Sequence, residues 1–199
     1  HGVSRATVRE ALKRLAAQSL IRTERGAFGG AFINHLSYDA ARAQQVTTST
    51  LLLGMNAISF QVACEARYAL ERSCTSLAAA RRTDALLATM RSEIDSQSTR
   101  DLSDEAFCAS DVAFHRALVD CAGNEVLSYH LAGSVEAMQP LMNMITFTAR
   151  SRAEIIDLHR AIVAGLEIRD VASVDRALAT LEAYTITLGQ TVLKARATR

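Results

Sequence analysis

Asp111 and His115 stand four residues apart in Asp111-Val-Ala-Phe-His115, within an apolar stripe of helical period made of Phe107, Asp111, Phe114, His115 and Leu118. His159 occupies a second such stripe with Ile155, Ile162 and Leu166. Residues i and i+4 lie one above the other on a helix. Burying a charge or an imidazole is costly unless it is paired or bound to a metal. One carboxylate and two imidazoles suit Zn, Ni, Fe or Mn and leave coordination positions open. A buried Asp–His pair that satisfies itself by hydrogen bonding would use the same residues without a metal, and spacing alone leaves both readings open. An ion with open positions can also activate water. The alternative function is therefore a helical metalloprotein or metal-dependent hydrolase using Asp111, His115 and His159. No general base such as the Glu of HExxH stands beside the three, which counts against it.

Arg67 is the second candidate. It shares a helical face with Phe60, Cys64, Glu71 and Cys74. A guanidinium turned into a cavity clamps a carboxylate bidentately; on a solvated face it would only pair with Glu71 four residues on. The four cysteines, Cys64, Cys74, Cys108 and Cys121, show no CxxC spacing and read as reduced, buried thiols of a cytoplasmic protein.

These residues need helices to position them. The chain has 199 residues, 49% hydrophobic and 22% charged, with one proline and nine glycines. So few breakers argue for long helices. From Leu51 on, the expected helices run over about 55–82, 84–97, 104–122, 125–147, 151–168 and 171–195, joined by short loops. The expected architecture is all-α, an antiparallel bundle of about six helices. Asn124 reads as a loop-capping residue. No apolar run approaches the roughly 20 residues needed to span a bilayer.

Residues 1–33 differ in character. Residues 1–35 carry six Lys/Arg against two acids, whereas the remaining 164 carry 16 against 19. A basic segment on a mildly acidic body points to a polyanion partner for that segment alone. Ser4 is a good N-cap, Val8, Ala11, Leu12 and Leu15 recur at helical spacing, and Arg5, Thr7, Arg9, Lys13 and Arg14 face the other way. Leu20–Thr23 and Ala31–Ile33, with Gly26, Gly29 and Gly30 between them, read as a hairpin. A helix followed by a glycine-tipped hairpin is the back half of a winged helix-turn-helix. Such a helix fits the major groove of double-stranded DNA. Ser4, Arg5, Thr7 and Arg9 would contact phosphates or base edges, and Gly29 and Gly30 would let the wing approach the minor groove. The domains expected are therefore a partial winged helix-turn-helix at 1–33, a polar linker at 34–50 that is partly helical over 38–46, and a helical ligand-binding domain at 51–199.

Val3-Ser4-Arg5-Ala-Thr-Val8-Arg9-Glu10-Ala-Leu12-Lys-Arg-Leu15, then Ser19-Leu20-Ile21 and Gly29-Gly30-Ala31-Phe32-Ile33, resembles the recognition helix and wing of GntR-family bacterial transcription regulators. Arg67-Tyr-Ala-Leu-Glu71, Leu77-Ala-Ala, Asp111-Val-Ala-Phe-His115-Arg-Ala-Leu118, Gly123-Asn124 and His159-Arg-Ala-Ile162 resemble the effector (FCD) domain of the FadR-type subfamily. The resemblance covers essentially the whole chain, which begins at the turn before the recognition helix. A head without its first helix would be poorly stable alone, and a structural or partner-binding module with an inactive head is a further alternative. The resemblance implies a cytoplasmic homodimer that binds operator DNA and a small organic acid, with Arg67 facing the acid. It implies Asp111, His115 and His159 as ligands of a divalent metal such as Zn or Ni, with a further histidine on the last helix. That histidine is absent: ungapped spacing puts Leu181 there, and a three-residue slip puts Tyr184.

Overall fold

The computed structural model describes residues 2–35, 37–55, 58–146 and 149–198, and of Gln139 and residues 143–146 the backbone alone. The element order is α1 (Arg5–Ala17), β1 (Ile21–Glu24), β2 (Gly30–Ile33), α2 (Tyr38–Gly54), α3 (Phe60–Arg81), α4 (Asp84–Gln97), α5 (Asp104–Asp120), α6 (Glu125–Thr146), α7 (Arg152–Glu167) and α8 (Val171–Ala197). Contacts divide the chain into two units, residues 1–41 and 42–199.

In the first unit Ser4 caps α1, its Oγ accepting the Thr7 N–H at 3.1 Å. The strands pair antiparallel, Ile21 opposite Ile33 and Glu24 opposite Gly30. Gly26 adopts φ +115°, open to glycine and strained for other residues. The hairpin tip exposes Phe28.

The second unit contains the helical bundle. Each of its helix starts has a local cause. Ser59, Thr83, Ser103, Ser151 and Asp170 accept N–H groups of α3, α4, α5, α7 and α8 respectively, satisfying donors that helix starts leave free. Asn124 Oδ1 takes the Val126 and Leu127 N–H groups at the start of α6. α3 packs on α8 and α6, α5 on α4 and α6, and α7 on α8 and α4. The main core gathers Phe107, Phe114, Leu118, Met90, Ile162 and Leu178, each 2% exposed or less.

The stretch 34–50, expected as a polar linker, carries most of α2. Ser37 Oγ accepts the Ala40 N–H at 3.2 Å, and Thr47 and Thr48 return their hydroxyls to the carbonyls of Ala43 and Gln44. Local capping is joined by contacts with α6, Arg42 pairing with Glu136 at 3.6 Å and Gln45 and Ser49 lying against Gly133, where no strong apolar stripe announces a helix. Among its described residues only Leu53 is buried.

Candidate functional site

Asp111 and His115 come from the buried face of α5 and His159 from that of α7; their exposures are 5%, 1% and 0%. Periodicity forces this: the flanking Phe107, Phe114, Leu118, Ile162 and Leu166 are fully buried and carry the polar side chains in with them. One donor atom from each of the three can be chosen so that all lie within 4.8 Å of one another. Asp111 Oδ1 is 3.9 Å from His115 Nε2 and 3.5 Å from His159 Nε2. Donors that share an ion at about 2.0–2.1 Å stand roughly 3–4 Å apart, so the spacing fits.

Both histidines are backed from the far side. His159 Nδ1 lies 2.8 Å from Gln97 Oε1. His115 Nδ1 lies 3.0 Å from Glu71 Oε1, within reach although off-line for a hydrogen bond. The Phe114 ring stacks on His159 at 3.9 Å and 14°. Neither Nε2 has a hydrogen-bond partner. Two unpartnered buried nitrogens beside one carboxylate are the donor set a divalent ion takes. Burial, with neighbouring His115 and Arg67 adding to it, holds His159 well below the usual imidazole pKa and so in its neutral form.

Arg67 is 1% exposed, so the solvated-face reading fails for it. Its Nε faces Glu71 Oε2 at 3.6 Å and Nη1 donates to Met142 Sδ at 3.2 Å, while Nε and Nη2 lack hydrogen-bond partners. Burial alone would lower its pKa; Glu71, with Tyr68 and Asp111, more than offsets that and raises it. Glu71 is itself fully buried: burial pushes its pKa up, and the facing His115 and Arg67 side chains outweigh this and hold it low. Arg67, Glu71, His115, Asp111 and His159 thus form one line of polar contacts through the core.

Leu181 is buried in the apolar core. Tyr184 accepts the Ser151 N–H at 2.6 Å and, with Asp111, Arg150, Thr185 and Leu188, lines a void of about 10 Å³. That is room for about one water or ion. A cavity of about 330 Å³ opens elsewhere, between α2, α3 and α6, lined by Leu53, Ile58, Ala63, His130 and Met138 among others, with no Lys or Arg among the described lining residues. Gln97 and Arg150 were missed in the sequence. Gln97 continues the stripe Leu87, Met90, Ile94 at helical spacing, a signal that was legible. Arg150, whose Nε and Nη2 are buried without partners, follows α6 in a connection that carries no periodic pattern.

Ser4, Arg5, Thr7, Arg9, Gly29 and Gly30 are all exposed in the first unit. The four cysteines are free and buried. Burial pushes the Cys64 thiol up to about 12 and that of Cys121 to about 11, leaving them poor nucleophiles. No helix of the described residues is long and apolar enough to cross a membrane.

The FCD domain family matches residues 63–183, a span that contains Arg67, Asp111, His115 and His159. LutR of Bacillus subtilis, an HTH-type transcriptional regulator, is 31% identical over 136 residues, covering 68% of this chain and 59% of LutR. An Escherichia coli protein named for regulation of the L-lactate dehydrogenase operon is 33% identical over 142 residues, covering 69% of this chain and 52% of its own length. The chain thus spans between half and three-fifths of these relatives. Among solved structures, a GntR-family transcriptional regulator from Pseudomonas syringae matches with a TM-score of 0.60 at 22% identity, over 99% of this chain and 74% of that one. Streptococcus agalactiae GntR matches with a TM-score of 0.58 at 19% identity, over 95% and 83%. At such identities the likeness is one of fold, and the fold is that of an all-α body with a small winged head. The relatives are regulators rather than enzymes, which disfavours the hydrolase alternative. The chain belongs to the FCD-domain family, and these curated relatives are transcriptional regulators.

Proposed function

We propose that the chain acts in a one-component transcription regulator, which binds operator DNA through residues 1–33 and a small organic acid in the helical domain. The observation that carries the effector half is Arg67, a fully buried guanidinium with two nitrogens that lack hydrogen-bond partners, on the same polar line as the Asp111–His115–His159 trio. Glu71 pairs with the guanidinium charge through Nε, and the buried Nη2, without a hydrogen-bond partner, is a donor that an anionic ligand can use. Asp111, His115 and His159 would hold a divalent cation, with Zn and Ni the best matches to the donors. Bound there, the ion would supply a Lewis-acid anchor for a carboxylate or hydroxyl oxygen. With Leu181 in place of a fourth imidazole the site would bind more weakly than a four-ligand one. The Escherichia coli relative's name makes a small 2-hydroxy acid such as lactate the first effector to try. The void of about 10 Å³ beside Asp111 requires side chains to move before an acid enters.

On the DNA side, exposed Ser4, Arg5, Thr7 and Arg9 crowd the first turns of α1, where the positive helix end also favours phosphate. A homodimer in the cytoplasm would read a palindrome with half-sites about one turn apart. The acid shifts operator affinity only insofar as it binds one arrangement of the regulator better than another. The test is binding of this chain to DNA from upstream of its own gene, followed by fluorescence anisotropy over a salt series. Affinity is expected to fall linearly in log–log form, with a slope of about −0.9 per phosphate neutralised, and Arg9→Ala to make that slope shallower by about 1. Binding indifferent to both salt and Arg9→Ala would refute the reading.

A further inference from the structure

The backing groups behind the two histidines have a purpose that the trio alone does not explain. Gln97 is the last residue of α4 and only 2% exposed. Its neighbours on the stripe, Leu87, Met90 and Ile94, are apolar, and leucine would fill the same space. Burying an amide among them is costly unless it is hydrogen-bonded. Its Nε2 has no partner, so the contact of Oε1 with His159 Nδ1 at 2.8 Å is what offsets that cost.

With Oε1 facing Nδ1, the proton sits on Nδ1 and the Nε2 lone pair points at Asp111 Oδ1, 3.5 Å away. Phe114 stacks on the face of the same ring, so its tilt and its edge are both held. At His115 the backing is by charge, close in distance but off-line for a hydrogen bond. Glu71 Oε1 stands 3.0 Å behind its Nδ1, and its Nε2 looks toward the same Asp111 oxygen from 3.9 Å. Two lone pairs and a carboxylate oxygen facing one another repel unless a cation lies between them. The opposite wiring needs only the Gln97 amide oxygen and nitrogen to change places. There the Gln97 amide is turned over to donate to Nδ1, and His159 Nε2–H donates to Asp111. That wiring joins His159 to Asp111 as a metal-free hydrogen-bonded pair. The protons therefore decide between a metal site and a structural pair, and the backing residues place the protons.

We propose that Gln97 is a positioning residue: by accepting the Nδ1–H of His159 it turns the Nε2 lone pair onto Asp111 and makes the trio a cation site, while the Glu71 carboxylate 3.0 Å behind His115 Nδ1 favours the same tautomer there by its charge. Such hydrogen bonds orient metal-binding imidazoles and raise their basicity, and losing one typically weakens affinity by about 10–100-fold. The metal arm of the test rests on the proposed role of the trio as metal ligands; the tautomer arm does not.

Long-range ¹H–¹⁵N NMR of histidine-labelled, chelator-stripped full chain at neutral pH reads the tautomers directly. The wild type is expected to show Nδ1–H at His159 and His115. Gln97→Leu is expected to move His159 toward Nε2–H and to leave His115 alone. Gln97→Glu, which keeps an acceptor, is expected to hold Nδ1–H. Glu71→Gln, which drops the charge, is expected to weaken the preference for Nδ1–H at His115. Zn affinity by chelator competition should fall about 10–100-fold in Gln97→Leu and recover in Gln97→Glu. An Nε2–H His159 in the wild type overturns the proposal, and so does a tautomer indifferent to Gln97→Leu in a variant whose circular dichroism is native. A wild type that is Nδ1–H and loses it in Gln97→Leu, yet takes up no Zn, supports the positioning role and refutes the metal reading instead.

Discussion

Arg67 and Glu71 are the two charges that the core would least tolerate alone. Each has an almost fully buried side chain, and each is the other's ion-pair partner at 3.6 Å. Removing one member of a buried pair leaves an uncompensated charge, at a cost of about 3–5 kcal/mol. Glu71→Leu is therefore expected to lose that much stability in urea unfolding, because the Arg67 guanidinium is left facing Met142 and the Tyr68 ring. Replacing both, Arg67→Met with Glu71→Leu, should recover most of it, since an apolar pair of similar volume fits an apolar core. A loss under about 1 kcal/mol in Glu71→Leu would mean that the cost of an unpaired charge is met by another acceptor. The same pair marks the reach of sequence reasoning. Asp111, His115 and His159 were legible because each is a polar residue at an apolar phase. Gln97 carried the identical signal on α4. What it touches was not legible, because its partner lies 62 residues away on α7 and helix packing, not local pattern, brings them together. That Glu71 serves His115 as well as Arg67 was hidden for the same reason.

The bundle helices were legible nearly to the residue because their starts carry local chemistry: Thr83, Ser103, Asn124 and Ser151 each cap the helix that begins beside them. α3 begins at Phe60 rather than 55, since Ser59 Oγ takes the Val62 N–H at 3.3 Å and defines a later start. α2 was legible only in part: helix was expected over 38–46 within a polar linker, and it continues to Gly54. How α3 and α8 are joined was not legible at all. Arg72 Nε and Nη2 donate to Asp175 Oδ1 and Oδ2 at 2.8 Å each, and these hydrogen bonds hold the Asp175 carboxyl below its usual range. A lowered folded-state pKa adds stability that is fully present above the unfolded value of about 3.9 and disappears as pH falls through the folded one. Both side chains are more than a third exposed, so water screens the pair and its worth is about 0.5–1 kcal/mol. Asp175→Asn should accordingly lower the unfolding midpoint at neutral pH, and the gap to wild type should close in acid. A gap that persists in acid would assign the effect to packing. In the hairpin, a Cβ on Gly29 would meet the Glu24 carbonyl oxygen at 2.4 Å, a contact backbone cannot relieve without moving. Gly29→Ala should open the hairpin, seen as loss of the cross-strand amide signals of Thr23 and Ala31, while the α3–α8 signals stay in place.

Stability is unevenly divided along the chain. Among the described residues of 1–41 none is buried, and even the apolar face of α1 leaves Val8 44% and Leu15 37% exposed. Fully buried side chains begin in the second unit, where α3, α5, α7 and α8 each carry several. Local opening costs least where few apolar contacts must be broken, and the core elements open only at the global free energy. Amides of 5–33 are therefore expected to exchange hydrogen within the earliest time points, with Phe114, Leu118, Ile162 and Leu178 exchanging last. Charge divides the same way, with six Lys/Arg against two acids in residues 1–35, so the least stable part is also the part a polyanion would grip. A ligand that binds only the folded form adds stability in proportion to the logarithm of its concentration over its dissociation constant. Duplex DNA from upstream of the gene should consequently slow exchange over α1 and the hairpin while leaving α5 and α7 unchanged, and raising the salt should remove that protection. Lactate with Zn should do the converse, slowing exchange around His115, His159 and Arg67. Protection by duplex spread evenly over the bundle, or none at 5–33 in low salt, would show that the basic segment is not where this chain meets nucleic acid.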